Sequence, residues 1–351
     1  MTSSVMVKSR RAFWGAAIAI CVFPVGPGYV LAQSSTSKAP TPNATTSAPA
    51  GARPAAAGRT FDSPQDAAKV LIDAASTFDQ TELARIFGPD GRDIIFTGEF
   101  AQDRQHALDF AKAAQEKMDI SVDPKTGNRA YVLVGNEDWP FPVPLVKTGG
   151  KWAFDSKAGR QELVYRRIGA DELDAIQVCH GYVEAQEEYA FQPREGYDVN
   201  QYAQRIISTP GTQDGLAWQT ADGNWAGPIG EKIARAIEQG YSIEADPYHG
   251  YLFKILKKQG PAAPLGAMDF VVKGVMIGGF ALVAAPAEYG VTGLQTFIVS
   301  QDGVVFQKDF GGKTLEEFKN MDVFNPDDSW TPVLDEAKPA DRSPTLETAA
   351  K

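Results

Sequence analysis

The sequence predicts an α+β protein, with helices and a small antiparallel sheet first and a C-terminal antiparallel β-meander second. Three observations carry this. Between Ser63 and Met118, apolar residues recur at helical spacing, as in Ala67, Val70, Leu71 and Ala74, and in Ala107, Phe110, Ala111 and Ala114. Between Asp246 and Asp309, short runs rich in Val, Ile and Phe are separated by glycine-containing turns. Within that stretch Gln301-Asp302-Gly303 lies between two apolar runs, and an Asp-Gly pair there signals a hairpin, because both central residues of a type I′ turn need φ > 0.

The N-terminus reads as an address. Lys8, Arg10 and Arg11 precede an apolar core from Phe13 to Phe23, and Val30-Leu31-Ala32 forms a small-residue cleavage site. Residues 1–32 are therefore expected to be a signal peptide, and the mature protein periplasmic or secreted. The apolar core is about half the ~20 residues a spanning helix needs, so no transmembrane helix is expected after signal removal. Ser9-Arg10-Arg11-Ala12-Phe13 resembles a twin-arginine signal. Paired basic residues also serve the general secretory route, which is favoured here. Cys21 follows Ile20, where a lipoprotein signal wants a small residue. Residues 33–60 are rich in Ser, Thr, Pro and Ala, bury too little to offset ordering, and read as a disordered linker.

The first ordered block is expected over 61–192. Ser63-Pro64-Gln65-Asp66 has the chemistry of a helix start, with Ser63 as N-cap and Pro64 at the first helical position. Further helices are expected over 80–87, stopped by Gly88-Pro89, and over 101–118. Strands follow at 130–134, then a hairpin of 141–147 and 151–154 around Gly149-Gly150. Trp139-Pro140-Phe141-Pro142-Val143-Pro144 lacks alternate donors and reads as an edge strand or surface ribbon, whose aromatics Trp139 and Phe141 either cap a core and block edge-to-edge association or form a binding lip. Two helices are expected over 161–167 and 171–189, with Asp171, Glu172 and Asp174 in the first turn of the second.

The second block is expected over 193–334, as a connection and then the meander, with 335–351 a disordered tail. Tyr202 to Ile207 reads as a helical turn, and 229–239 as a helix stopped by Gly240. Tyr251, Phe253 and Ile255 alternate with Leu252, Lys254 and Leu256, so successive side chains take opposite faces. Apolar runs at 268–273 and 280–284 flank Gly278-Gly279, and 294–300 and 304–308 flank the Asp-Gly turn. Thr314 is placed to cap a last helix over 315–320.

Charge and chemistry mainly exclude. The chain carries a net charge of −10, and loss of residues 1–32 removes three cations and no anion, leaving −13. That argues against nucleic acid and anionic membrane surfaces as partners. Two cysteines are present, Cys21 and Cys179, so the mature chain holds one and forms no internal disulfide; Cys179 reads as a small buried apolar residue. His106, His180 and His249 are far apart in sequence, and no metal, cofactor or catalytic motif is assigned. Gly311-Gly312-Lys313-Thr314 imitates a phosphate-loop ending, but Gln307 stands where that loop needs glycine. Glu195, Asp198 and Asn200 are too few oxygen donors for a calcium loop. Tyr248, His249 and Tyr251, in a turn opening the meander, are the remaining binding candidates; the competing reading is that the tyrosines pack on the sheet and His249 bonds a backbone carbonyl.

Asp138-Trp139-Pro140-Phe141-Pro142, Ala175-Ile176-Gln177-Val178-Cys179, Tyr202-Ala203-Gln204-Arg205, Pro247-Tyr248-His249-Gly250-Tyr251, and Pro286-Ala287-Glu288-Tyr289-Gly290 on to Thr296-Phe297-Ile298-Val299 together resemble a family of exported bacterial proteins catalogued as a domain of unknown function, number 2950. The resemblance covers Phe61 to Trp330 and brings no activity, cofactor or site residues. The helices over 63–118 with the sheet containing Trp152 look like cone-shaped domains of the nuclear-transport-factor-2 type. The segment from Tyr251 to Val305 is similar to the sheet of pilin-like proteins, without their long apolar N-terminal helix. The expected function is a non-enzymatic binding or assembly module of the cell envelope, with an envelope protein or glycan as partner. The alternative is a carboxylate-dependent hydrolase or lyase acting on envelope polymers.

Overall fold

A computed structural model describes residues 58–96, 100–193, 199–238 and 247–334. The signal peptide, most of the linker, Glu195, Asp198, Gly240 and the tail beyond 334 lie outside the described residues. The chain divides into two compact units, Met1–Arg166 and Arg167–Lys351. The division falls inside a helix, where the sequence reading put it at 192/193.

The first unit opens with four helices, α1 (Pro64–Thr77), α2 (Gln80–Phe87), α3 (Arg92–Ile95) and α4 (Phe100–Glu116). Ser63 caps α1 by accepting from the Asp66 amide at 3.1 Å, with Pro64 behind it. Asp79 caps α2 by accepting from the amides of Thr81 and Glu82. The α4 helix stops two residues earlier than expected, because Met118 begins a strand in register with Val134. The strands are β1 (Met118–Val122), β2 (Arg129–Val134), β3 (Trp139–Pro140), β4 (Leu145–Thr148) and β5 (Lys151–Phe154). They form an antiparallel sheet ordered β1-β2-β4-β5, with β3 also paired to β2. Gly149 and Gly150, at φ 58° and 83°, supply the two positive values that a two-residue hairpin turn needs. Ala130, Val132 and Val134 point into a core shared with α1, α2 and α4, which includes Leu71, Ile86 and Phe110.

One helix, α5 (Ser156–Ala190), replaces the two expected. Gly169 lies in the expected gap between them, but a single helical glycine costs only about 1 kcal/mol, and no proline accompanies it. Asp171, Glu172 and Asp174 are therefore mid-helix, not at a positive helix end.

The second unit takes α5 from Arg167 onward. Arg205–Ile207, expected to be a helical turn, is a strand (β6) lying parallel to β7 (Gly215–Gln219), which pairs with β8 (Trp225–Ala226). Next come α6 (Gly230–Glu238), β9 (Tyr251–Leu256), the short ribbons β10 (Lys258–Gln259) with β11 (Met268–Asp269) and β12 (Val271–Val272) with β13 (Val275–Met276), and then β14 (Ala281–Pro286), β15 (Gln295–Ser300), β16 (Val305–Asp309), α7 (Thr314–Asn320) and β17 (Thr331–Pro332). The meander is a five-stranded antiparallel sheet ordered β17-β16-β15-β14-β9. The β14 strand is buried at every position, so the sheet is covered on both faces. On one face Lys254 lies over the Phe318 ring of α7. On the other, Tyr251 packs against Phe297.

Two local expectations are corrected here. In the Asp302-Gly303 turn only Gly303 has positive φ, and the Gly303 amide closes onto the Ser300 carbonyl, so this is not a type I′ turn. Thr314 is not a cap; its hydroxyl donates back to the Gly311 carbonyl, and α7 continues from a 3₁₀ turn over Gly311–Lys313. The chain beyond Trp330 adds β17 to the sheet edge. Among the described residues, no helix is long and apolar enough to cross a membrane.

Candidate functional site

The five binding candidates fall into two places. In the first unit, Phe141 is packed among Phe87, Phe110 and Phe154, with ring centroids 4.9 to 6.1 Å apart, so it caps the core and does not form a lip. Trp139 is half-buried beneath the Arg166 guanidinium, 4.9 Å from its ring centroid. Arg166 in turn donates to the Pro140 carbonyl and to Glu162, each at 2.9 Å. In the second unit, Tyr251 is fully buried, with its hydroxyl donating to the Gln295 carbonyl at 2.9 Å. Tyr251 therefore belongs to the sheet core, which corrects its reading as a surface candidate.

Tyr248 and His249 are partly open to solvent. They sit on a two-residue turn, closed by the Tyr248 and Tyr251 amides and carbonyls at 2.9 and 3.0 Å, with φ of 47° at His249 and 72° at Gly250. Both positive values match the type I′ hairpin. Gly250 is required twice over. Besides the φ, a Cβ there would lie 2.7 Å from both the Asp171 carboxylate and the Thr292 Cβ.

That close approach brings three distant segments together. His249 Nδ1 donates to Asp174 Oδ2 at 2.7 Å, with the two side chains 29% and 35% exposed. The hydrogen bond to Asp174 outweighs desolvation and holds the His249 imidazole protonated above its ordinary range. Glu172 Oε1 accepts from the Leu294 and Gln295 amides at 2.8 and 3.0 Å, which ties α5 to the β14–β15 connection. Burial pushes Asp171 up to about 6, against the pull of His249 and Arg167. Asp171 and Asp174 share one helix face by their i, i+3 spacing. Sequence reasoning placed these acids at a helix end and missed the cluster. The spacing was visible, but not the turn 75 residues on that meets it.

The remaining chemistry is structural. Cys179 is fully buried and its thiol is pushed up to about 12, so it is inert. Among the described residues, no three His, Cys, Asp or Glu side chains are grouped to hold a metal ion. Two shallow, open concavities stand out, both in the first unit and both lined by charge. One is bordered by Asp90, Arg92, Asp93 and Arg160, the other by Arg59, Asp73, Asp79 and Glu82.

The profile of a family described as Protein of unknown function (DUF2950) matches residues 58–333. The chain belongs to this family. No curated protein and no solved structure matches it. The DUF2950 match spans both units, so the Trp139–Arg166 stack and the Asp171–Asp174–His249 cluster are each part of the family region.

Proposed function

We propose that the protein is exported to the cell envelope and acts there as a non-enzymatic binding or assembly module. The observation that supports it best is the cluster of Tyr248, His249, Asp171 and Asp174. It is partly open to solvent, rigidly mounted on a two-residue turn and a helix, and carries an aromatic edge beside carboxyl groups. Such a surface suits the hydroxyls of a glycan or the amino groups of a peptide. Export is supported by the leader chemistry at Lys8 to Ala32.

The test is fractionation of a C-terminally tagged chain, then a thermal-shift screen of envelope glycans and peptides against wild type, Asp171→Asn and His249→Ala. A ligand that raises the midpoint of wild type but of neither variant upholds the reading. A ligand that acts equally on all three removes the cluster, and retention of the tag in the cytoplasm removes the envelope role.

One observation favours the alternative, a carboxylate-dependent hydrolase or lyase. Burial holds Asp171 near 6, one helix turn from the Asp174 carboxylate that His249 pairs with, so a carboxyl able to give up a proton near neutral pH lies beside a second carboxyl group. Release of soluble fragments from envelope polymers, lost in Asp171→Asn, would move the assignment to that reading.

A further inference from the structure

The turn from Tyr248 to Tyr251 is fixed on one side by the sheet and held on the other by charge. Its second half belongs to the sheet. The Ala287 amide donates to the Gly250 carbonyl at 2.9 Å, and the Tyr251 side chain is fully buried. Its first half reaches α5 through the His249–Asp174 pair, Nδ1 to Oδ2 at 2.7 Å. A histidine in this place is informative. The φ of 47° would suit asparagine or glycine as well, and either closes a type I′ turn without a titrating group. Histidine adds a charge that pH sets between about 5 and 8.

The surroundings make that charge matter. Asp171 presses its carboxylate on Gly250, on the same helix face as Asp174, and among the described residues no N–H or O–H group donates to it. The other titratable groups at this contact are engaged elsewhere. Glu172 accepts from the Leu294 and Gln295 amides. The Tyr251 hydroxyl donates to the Gln295 carbonyl and is kept protonated by burial. Arg167, one turn before Asp171, pulls on that carboxyl. The β14–β15 connection meets the turn through Thr292, which is uncharged. When the imidazole loses its proton, its bond to Asp174 is no longer charge-assisted. Arg167 is then left to offset two half-buried carboxylates.

We infer that the Tyr248–His249 turn is a proton-operated clasp, which holds the candidate binding surface against α5 while His249 is charged and releases it when that charge is lost. The hold is full below the ordinary histidine value of 6.5 and is lost as pH rises through the higher folded value. Asp171, pushed up to about 6 by burial, takes a proton as pH falls further and acts in the same direction. The inference rests on the binding-module reading only for what the clasp regulates, and the two fail separately.

The test is amide hydrogen exchange of the full chain, without ligand, at pH 5.5 and 8.5, each rate taken relative to that of an unstructured chain at the same pH. The Tyr248 amide, bonded to the Tyr251 carbonyl, is the reporter. The Ala287, Leu294 and Gln295 amides are controls, because they tie Gly250 and α5 to the sheet without using His249. The expected result is that Tyr248 loses protection about tenfold or more at the higher pH, while the controls change by less than about threefold. His249→Asn keeps a residue suited to the turn but removes the charge, and Asp174→Asn keeps the side-chain shape. Each should abolish the pH response at Tyr248. Equal protection of Tyr248 at both pH values, a response that survives in either variant, or a parallel loss at the controls overturns the inference. A clasp that opens as expected in a chain whose cluster holds no ligand upholds it and removes only the binding reading.

Discussion

Asp171 and His249 both hold a proton more tightly in the folded chain than in the unfolded one, for opposite reasons. His249 gains a carboxylate partner, whereas Asp171 loses water. The stabilisation from His249 is full below its ordinary value of 6.5 and is lost as pH rises through the higher folded value. Ionised Asp171 opposes the folded state, and that opposition fades as pH falls through about 6. The carboxyls held low by their partners, Asp93, Asp123, Asp214, Asp222 and Asp327, keep their contribution above their ordinary 3.8 and lose it only as pH drops below that. The thermal midpoint should therefore rise as pH is lowered from 8.5 to 5. Asp171→Asn should flatten the acidic half of that slope and His249→Ala the upper half. A wild-type midpoint that falls over this range in scanning fluorimetry would contradict the assignment. A second single-residue expectation concerns Gln186, fully buried, whose amide donates to Tyr182 and to the Ala203 carbonyl and accepts from the Ala203 amide, the last two at 2.8 Å. Gln186→Leu strands both backbone groups and should cost on the order of 3 kcal/mol in urea unfolding, with Gln186→Glu intermediate.

Contacts between elements set the next scale. Gly159 in α5 sits so close to the β3–β4 connection that a Cβ would fall 2.6 Å from a methyl of Val143. Gly159→Ala gains about 1 kcal/mol of helix propensity, but forcing the overlap costs typically 1–3 kcal/mol. A net loss is expected, and Val143→Ala should relieve it, so the double variant should be at least as stable as Val143→Ala alone. Strict additivity in a double-mutant cycle would show that α5 shifts to absorb the methyl group. The same distinction between local and distant causes explains what was legible in the sequence. The α1 and α2 helices were readable because Ser63, Pro64 and Gly88 act on neighbouring residues, and the Gly149-Gly150 hairpin likewise. The unbroken α5 was not, because the cost at Gly169 is local and what offsets it is not. Arg205–Ile207 was misread because its parallel partner lies at Gly215–Ala217. In the candidate site, the turn at Tyr248 and His249 was legible, but Asp171 and Asp174 were not assigned to it. Phe141 and Tyr251 look identical to surface aromatics until the elements that bury them are in place.

At the scale of the whole chain, the two units own separate cores. One cluster draws only on residues from Phe61 to Phe154, the other on Ala175 to Val333. Among the described residues, no buried side chain belongs to both clusters. Calorimetry should then resolve two transitions rather than one. Phe110→Ala opens a cavity beside Phe141 in the first core, and Phe297→Ala opens one beside Tyr251 in the second. Each should cost roughly 3–5 kcal/mol and lower its own transition by on the order of 10 °C, leaving the other within a degree or two. The continuous helix from Ser156 to Ala190 is the one element that runs through the division, and it is the natural route for any coupling. If both substitutions move a single shared transition, the helix transmits unfolding from one core to the other. In that case glycines introduced at the exposed Tyr165 and Arg167 should separate the transitions, because they weaken the helix at the division without removing a side chain of either core.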